Sequence, residues 1–308
     1  MTERILVTGA SGQLGGQICQ NLYSMGIANV VPGSRTPEKL SVRFGPGKAG
    51  RYIDFDNEES LAHGLHDVGT LFIVSTDALA VRGHRIAQHR RVLQAAITAG
   101  VRSILYTSMP NPHHSAAIPF AEDHARMEED LSASGLQFKV LRNSWYQENL
   151  LAYLPLIAST GVWYTSAGDG RISFVSRDDL AKASAALAVR SHEVSGVFEL
   201  AGPDSLSQED IARIVEEVTG RPLRVEHASP ERVRTELGRL GLPERVIDIV
   251  ITTEANQRAG LFDVGAGSLG QFLDGRPTRL SAFLRRYADR FAADITPITS
   301  ERNGSKTP

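Results

Sequence analysis

Cysteine is almost absent from these 308 residues. Cys19 stands alone, so no intrachain disulfide can form, and its place in a helical stretch makes it a packing residue and not a nucleophile. Charge of one sign is missing too. The formal net charge of −2 gives no electrostatic case for nucleic acid or an anionic membrane. No apolar run reaches the length of a membrane span. The N-terminus leads straight into a strand, so no signal peptide is expected and the cytoplasm is the expected location. The histidines form no persuasive metal set: His113–His114 share a loop, His84 and His89 are five apart, and His63 and His66 lack a third ligand. Internal repeats and low-complexity tracts are also lacking. What remains, at 42% apolar and 22% charged residues, is an ordinary globular composition.

The most informative stretch comes first. Arg4–Thr8 is short, apolar and β-branched, which reads as a buried strand. Gly9, Gly12 and Gly15 follow in the spacing G-x-x-G-x-x-G, and from Gln13 apolar residues recur at helical intervals. Strand, glycine turn and helix in that order form the dinucleotide-binding pattern. Gly9 permits the tight turn, Gly12 admits a diphosphate, and Gly15 lets the helix approach the strand. The amides of Gln13 and Leu14, at the positive end of the helix dipole, would hold the phosphates, with Ser11 adding a hydroxyl.

Further strands are expected at Asn29–Pro32, Arg51–Phe55, Thr70–Val74, Ser103–Thr107 and Gln137–Leu141, with helices between them, including Val81–Ala99 and Phe120–Ser134. Six alternating units predict an α/β fold with a doubly wound parallel sheet of Rossmann type. The second strand ends without the acidic residue that would receive the ribose hydroxyls of NAD. Arg35 stands there instead, suited to a 2′-phosphate, so NADP(H) is expected in preference to NAD(H). Asp54 and Phe55 would lie near the adenine. Ser75 and Thr76 follow the fourth strand, at the edge where such sheets bind ligands. The nucleotide-binding domain is expected over 1–150, a smaller α/β lobe over 151–295 with helices such as Pro243–Ala259 and Thr278–Ala293, and a disordered tail over 296–308.

One catalytic signature is missing. Short-chain dehydrogenases acting on alcohols usually carry Tyr-x-x-x-Lys, in which the tyrosine protonates the nascent alkoxide. No tyrosine here has a lysine at that spacing. His124 stands near the tyrosine position and Glu128 near the lysine position, while Ser108 occupies the place of the usual catalytic serine. His124 and Ser108 are therefore the candidate proton relays, and a structural role is the competing reading of His124. A quinone, dye or imine-like acceptor needs little or no acid from the protein, so alignment with the nicotinamide is enough. Trp145, Tyr146 and Trp163 follow the sixth strand. Either they receive a planar substrate or they seal the joint between the two parts of the chain.

The runs TGASGQLGG, DFDNEESL, ILYTS, LRNSWYQENL and AGDGRISFVSRDDLA, the Arg35 loop, ELAG at Glu199–Gly202, GLPE at Gly241 and GLFD at Gly260 resemble the NmrA-like atypical short-chain dehydrogenases. Within them the resemblance is nearest to bacterial quinone oxidoreductases of the second type and to triphenylmethane reductases. It implies NADPH binding through Gly9–Gly15, Arg35 and the strand ends, with Asn143 beside the nicotinamide and Trp145 and Tyr146 walling the acceptor. Three functions follow as expectations: a reductase of quinones or similar planar acceptors, a non-catalytic NADP-binding redox sensor, or a dedicated tailoring reductase or epimerase. The expected partner is a small planar molecule, with neither nucleic acid nor membrane, and the chain a monomer or homodimer.

Overall fold

The computed structural model describes residues 3–45, 47–48, 50–190 and 195–292. Among them are the strands β1 (Arg4–Val7), β2 (Val30–Ser34), β3 (Arg51–Tyr52), β4 (Val68–Ile73), β5 (Ser103–Ser108), β6 (Gln137–Asn143), β7 (Val162–Thr165), β8 (Gly196–Leu200) and β9 (Arg224–His227). The helices are α1 (Gln13–Ser24), α2 (Glu38–Phe44), α3 (Glu58–Gly64), α4 (His84–Thr98), α5 (Ala121–Ala133), α6 (Gln147–Leu150), α7 (Leu154–Thr160), α8 (Arg177–Val189), α9 (Gln208–Thr219), α10 (Pro230–Arg239), α11 (Glu244–Arg258), α12 (Leu280–Arg286) and α13 (Asp289–Ala292).

Seven strands form one parallel sheet in the order β3-β2-β1-β4-β5-β6-β8. The first six positions are the order of a Rossmann sheet, and the order reverses between β1 and β4. The unbroken apolar strands follow from covering on both faces. Ile5, Val7, Phe72, Leu105 and Leu141 point into a core shared with α1 and α8. Their neighbours Leu6, Leu71, Ile73, Ile104, Tyr106 and Val140 point into a second core with α3, α4 and α5. A third core gathers α7, α9, α10, α11 and α12 around Trp163 and Phe262, beside the two-stranded β7-β9 sheet. None of the described helices is long and apolar enough to cross a membrane.

Three expected elements change. The third strand stops at Tyr52 and not at Phe55, because Asp54 accepts from the Asp56 amide at 3.0 Å and turns the chain toward α3. Helix α4 starts at His84 and not at Val81, because Gly83 before it sits at φ +80°, outside helical space. The stretch expected as one helix over 278–293 is two short ones, broken at Tyr287 and Ala288; residue 293 and the tail over 296–308 lie outside the described residues.

Candidate active site

The turn after β1 sits at the reversal of strand order. Gly9 takes φ +62°, and the Gly12 amide donates to its carbonyl at 2.9 Å. Gly15 packs α1 against β1 so closely that a Cβ there would lie 2.5 Å from the Gly9 oxygen and 2.8 Å from the Thr8 oxygen. No side chain caps α1, so the amides of its first turn, Gln13 and Leu14 among them, are left for an outside acceptor. An anion is the natural acceptor at this helix end.

A groove of about 320 Å³ opens beside the turn. It is lined by Gly9, Ser11 and Gly12 from the turn, Ser34 and Arg35 from β2, Asp54 and Phe55 after β3, and Ser75 and Thr76 after β4. The structure thus brings eight of the residues singled out in the sequence to one surface. A hydroxyl cluster lies at the end of β2. Ser34 donates to Ser11 at 2.9 Å, and its oxygen accepts the Thr36 amide at 3.1 Å. Arg35 borders this cluster, so a phosphate monoester would meet a guanidinium and hydroxyls together. Asn143, at the end of β6, does not line the groove. It is 5% exposed, and no well-formed hydrogen bond satisfies its amide nitrogen or oxygen, although the Tyr146 hydroxyl faces it. A buried donor and acceptor left open side by side suit a carboxamide.

The proton-relay candidates lie deeper. His124 is buried between Arg85 and Tyr106, 2.9 Å from the guanidinium and 2.8 Å from the phenol. Arginine can only donate, so His124 Nε2 accepts and its proton sits on Nδ1, facing Tyr106. Burial, then the charge of Arg85, holds this imidazole well below the ordinary histidine range. His89 stands on the other side of Tyr106, accepts the Thr76 amide at 3.2 Å, and is pushed down to about 3 by burial and Arg85. Arg85 also donates to the Thr76 carbonyl at 2.7 Å. The His124 network therefore braces the loop that borders the groove. Ser108 donates to Glu128 at 2.5 Å, and Glu128 pairs with Arg142 at 2.6 Å, which also reaches Glu199 at 3.0 Å. The sequence positions of the missing tyrosine and lysine are taken up by internal bonds.

A second cavity, of about 280 Å³, lies between the sheet and the third core. Its walls include Phe120, Trp145, Tyr153, Trp163 and Phe174, with Glu254 at its edge. Trp145 leans on Phe262 with ring centres 5.4 Å apart, and Trp163 is 1% exposed. Tyr146 is not among the lining residues; its ring packs under Arg177, 5.3 Å from the guanidinium. Burial raises the Glu254 carboxyl, although Thr165 and Ser166 donate to it at 2.8 and 2.7 Å. Neighbouring residues of the loop after β4 border the two spaces: Ala78 lines the groove and Leu79 the cavity. Sequence reasoning missed Arg85, Gln88 and His89. Their signal was a polar cluster at i, i+3 and i+4 set among the buried apolar positions Ile86, Val92, Leu93 and Ala96 of α4. Phe120, Tyr153 and Phe174 carry no motif and converge only through the fold. Among the described residues no cluster of histidine, cysteine or carboxylates could hold a metal ion.

Comparison with known proteins shows the family. The model of the NmrA-like family matches residues 1–267. The chain is 32% identical to quinone oxidoreductase 2 of Escherichia coli (strain K12) over 261 residues, covering 84% of this chain and 90% of that protein. It is similar to the crystal structure of an NADPH-dependent quinone oxidoreductase from Escherichia coli complexed with NADPH, with a TM-score of 0.82 and 29% identity over 94% of this chain and 100% of the other. The Citrobacter sp. triphenylmethane reductase complexed with NADP(H) gives a TM-score of 0.83 at 27% identity, covering 92% and 99%.

Proposed function

The chain belongs to the NmrA-like family and is an NAD(P)H-dependent reductase; we propose that its acceptor is a quinone or a similar planar conjugated molecule, and that NADPH is its preferred donor. The observation that carries this reading is a glycine-turn groove and an aromatic cavity bordered by the adjacent residues Ala78 and Leu79, with His124 and Ser108 bound internally. The acceptor in this cavity then takes no proton from His124 or Ser108.

Each part of the groove then has a task. The α1 amides of Gln13, Leu14 and Gly15 receive the diphosphate. Arg35, with Ser11 and Ser34, receives the 2′-phosphate, which sets the preference over NADH. Asp54 and Phe55 border the adenine, and Ser75 and Thr76 line the path toward the nicotinamide. Asn143, with the Tyr146 hydroxyl beside it, is the residue to receive the carboxamide. The bound dinucleotide supplies a hydride. Trp145, Phe120 and Tyr153 sandwich the flat acceptor and exclude water, holding it at reacting distance. His124 and Ser108 act as braces and not as acids. The aromatic acceptor stabilises its own negative charge and collects its proton from solvent.

The test is anaerobic oxidation of NADPH by the purified protein with a panel of benzoquinones and naphthoquinones, with NADH in parallel. Turnover with equimolar quinone reduction, and a higher kcat/KM for NADPH than for NADH, is the expected result. Saturable NADPH binding with no oxidation by any quinone contradicts the acceptor assignment and favours a sensor.

A further inference from the structure

Arg43 has no place in the account so far. It sits in the last turn of α2, outside the lining of the groove. Its Nη1 nevertheless lies 2.7 Å from the Gly12 carbonyl and 3.3 Å from those of Ala10 and Ser11, three consecutive oxygens on the back of the glycine turn. The guanidinium occupies space that a side chain at residue 16 would take: a Cβ on Gly16 would overlap its Cζ and both Nη atoms. Gly16 is not needed for the turn itself, since it lies within α1 in a helical segment where glycine is the poorer choice.

We propose that Arg43 is a positioning residue for the cofactor: seated in the space left by Gly16, it gathers the carbonyls of Ala10, Ser11 and Gly12 and so fixes the amides of the glycine turn toward the diphosphate. The proposal rests on the reading that this turn holds the diphosphate. The physical reason is the orientation of peptide units. The Ala10 and Gly12 carbonyls share their peptide units with the Ser11 and Gln13 amides, which turn to the opposite side, while the Gly12 amide is held by the Gly9 carbonyl; carbonyls crowded together repel one another unless a cation meets them. The guanidinium is that cation. It leaves the turn set before the dinucleotide arrives, so binding does not have to order it.

The pair Arg43 and Gly16 gives a test that a structural role does not imitate. Binding of NADP+ is measured by calorimetry, alongside melting temperature and steady-state kinetics, for wild type, Arg43→Met, Arg43→Lys, Gly16→Ala and the double variant. Arg43→Met is expected to weaken NADP+ binding about ten-fold, the scale for losing charged hydrogen bonds. KM for NADPH rises alike, while kcat at saturation changes little. Arg43→Lys recovers part of the loss. Gly16→Ala displaces the guanidinium and reproduces the loss although alanine favours the helix. In the double variant the alanine adds no further loss, because nothing remains to displace. Wild-type affinity in Arg43→Met, a fall in melting temperature without a change in affinity, or additive losses in the double variant overturns the proposal. Gly12→Ala, which adds a Cβ 3.1 Å from the Gly9 oxygen at a residue lining the groove, separates the two claims. If it binds as wild type does, the reading of the turn fails and the proposal with it; if it weakens binding while Arg43→Met does not, the proposal alone fails.

Discussion

Acid should destabilise this protein through two buried histidines. His89 and His124 flank the Tyr106 hydroxyl, and both are essentially inaccessible to water. Burial, reinforced by the Arg85 charge, keeps both neutral, with His89 held down to about 3 and His124 well below the ordinary range. In the unfolded chain the same imidazoles titrate near their ordinary value of about 6.5. Below that pH the unfolded chain binds protons that the native protein does not, so stability falls as pH falls. The slope approaches ~1.4 kcal/mol per pH unit for each histidine, and the loss continues until the native pKa is reached. From pH 6.5 to 4.5 each contributes a loss of about 2 to 3 kcal/mol, a large share of a typical domain stability of roughly 5–15 kcal/mol. Glu199 and Glu254 work the other way, since burial raises both carboxyls and the native state gains on protonating them. The wild-type curve alone therefore mixes signs. Urea unfolding of wild type, His89→Gln and His124→Gln across this range isolates the effect. Each variant should lose about one histidine's worth of slope, whatever its stability at neutral pH. Parallel curves for wild type and both variants would refute the reasoning, because they would mean that the imidazoles protonate as readily in the native protein.

Other consequences follow from the same contacts. Ser108→Ala should keep turnover within about two-fold while costing ~1 kcal/mol of stability, read by denaturant unfolding, since the hydroxyl serves Glu128. Glu128→Ala should cost more, about 3 kcal/mol, because it removes a carboxylate that holds the half-buried Arg142. The rate at saturating NADPH should show no inflection between about pH 6 and 8 from His124, which stays neutral throughout; a break near pH 6.5 that vanishes in His124→Gln would reinstate it as the acid. Cys19 is fully buried in α1 and its thiol is pushed up to about 12, chiefly by burial, so a thiol reagent should label it only after unfolding.

The sheet was legible because it is local physics repeated: apolar strands covered on both faces, turns marked by glycine, and helices at regular spacing. The glycine turn was legible for the same reason, since Gly9, Gly12 and Gly15 are adjacent in sequence to the strand and helix they join. Arg35, Asp54, Phe55, Ser75 and Thr76 could be placed because parallel strands bring their ends to one edge. What sequence spacing did not carry was anything assembled from distant segments. The aromatic cavity joins Phe120, Trp145, Phe174 and residues of α11, which have no common period. Tyr146 follows Trp145 directly and yet lies elsewhere, because the short turn before α6 sends the two rings to different cores. His124 looked like a catalytic residue from its position in the chain. Only the fold shows both ring nitrogens already engaged, Nε2 by Arg85, 39 residues away, and Nδ1 by Tyr106.

In the proposed function the groove takes the donor and the neighbouring cavity takes the acceptor. Steady-state oxidation of NADPH by a naphthoquinone, with Arg35→Ser and Trp145→Ala compared against wild type, tests it most directly. Arg35→Ser should raise KM for NADPH by about ten-fold or more and leave KM for the quinone nearly unchanged. Trp145→Ala should do the reverse, raising KM for the quinone about ten-fold with NADPH binding intact. If both variants shift both constants alike, or if neither shifts its own, the assignment of donor and acceptor to these two sites is wrong.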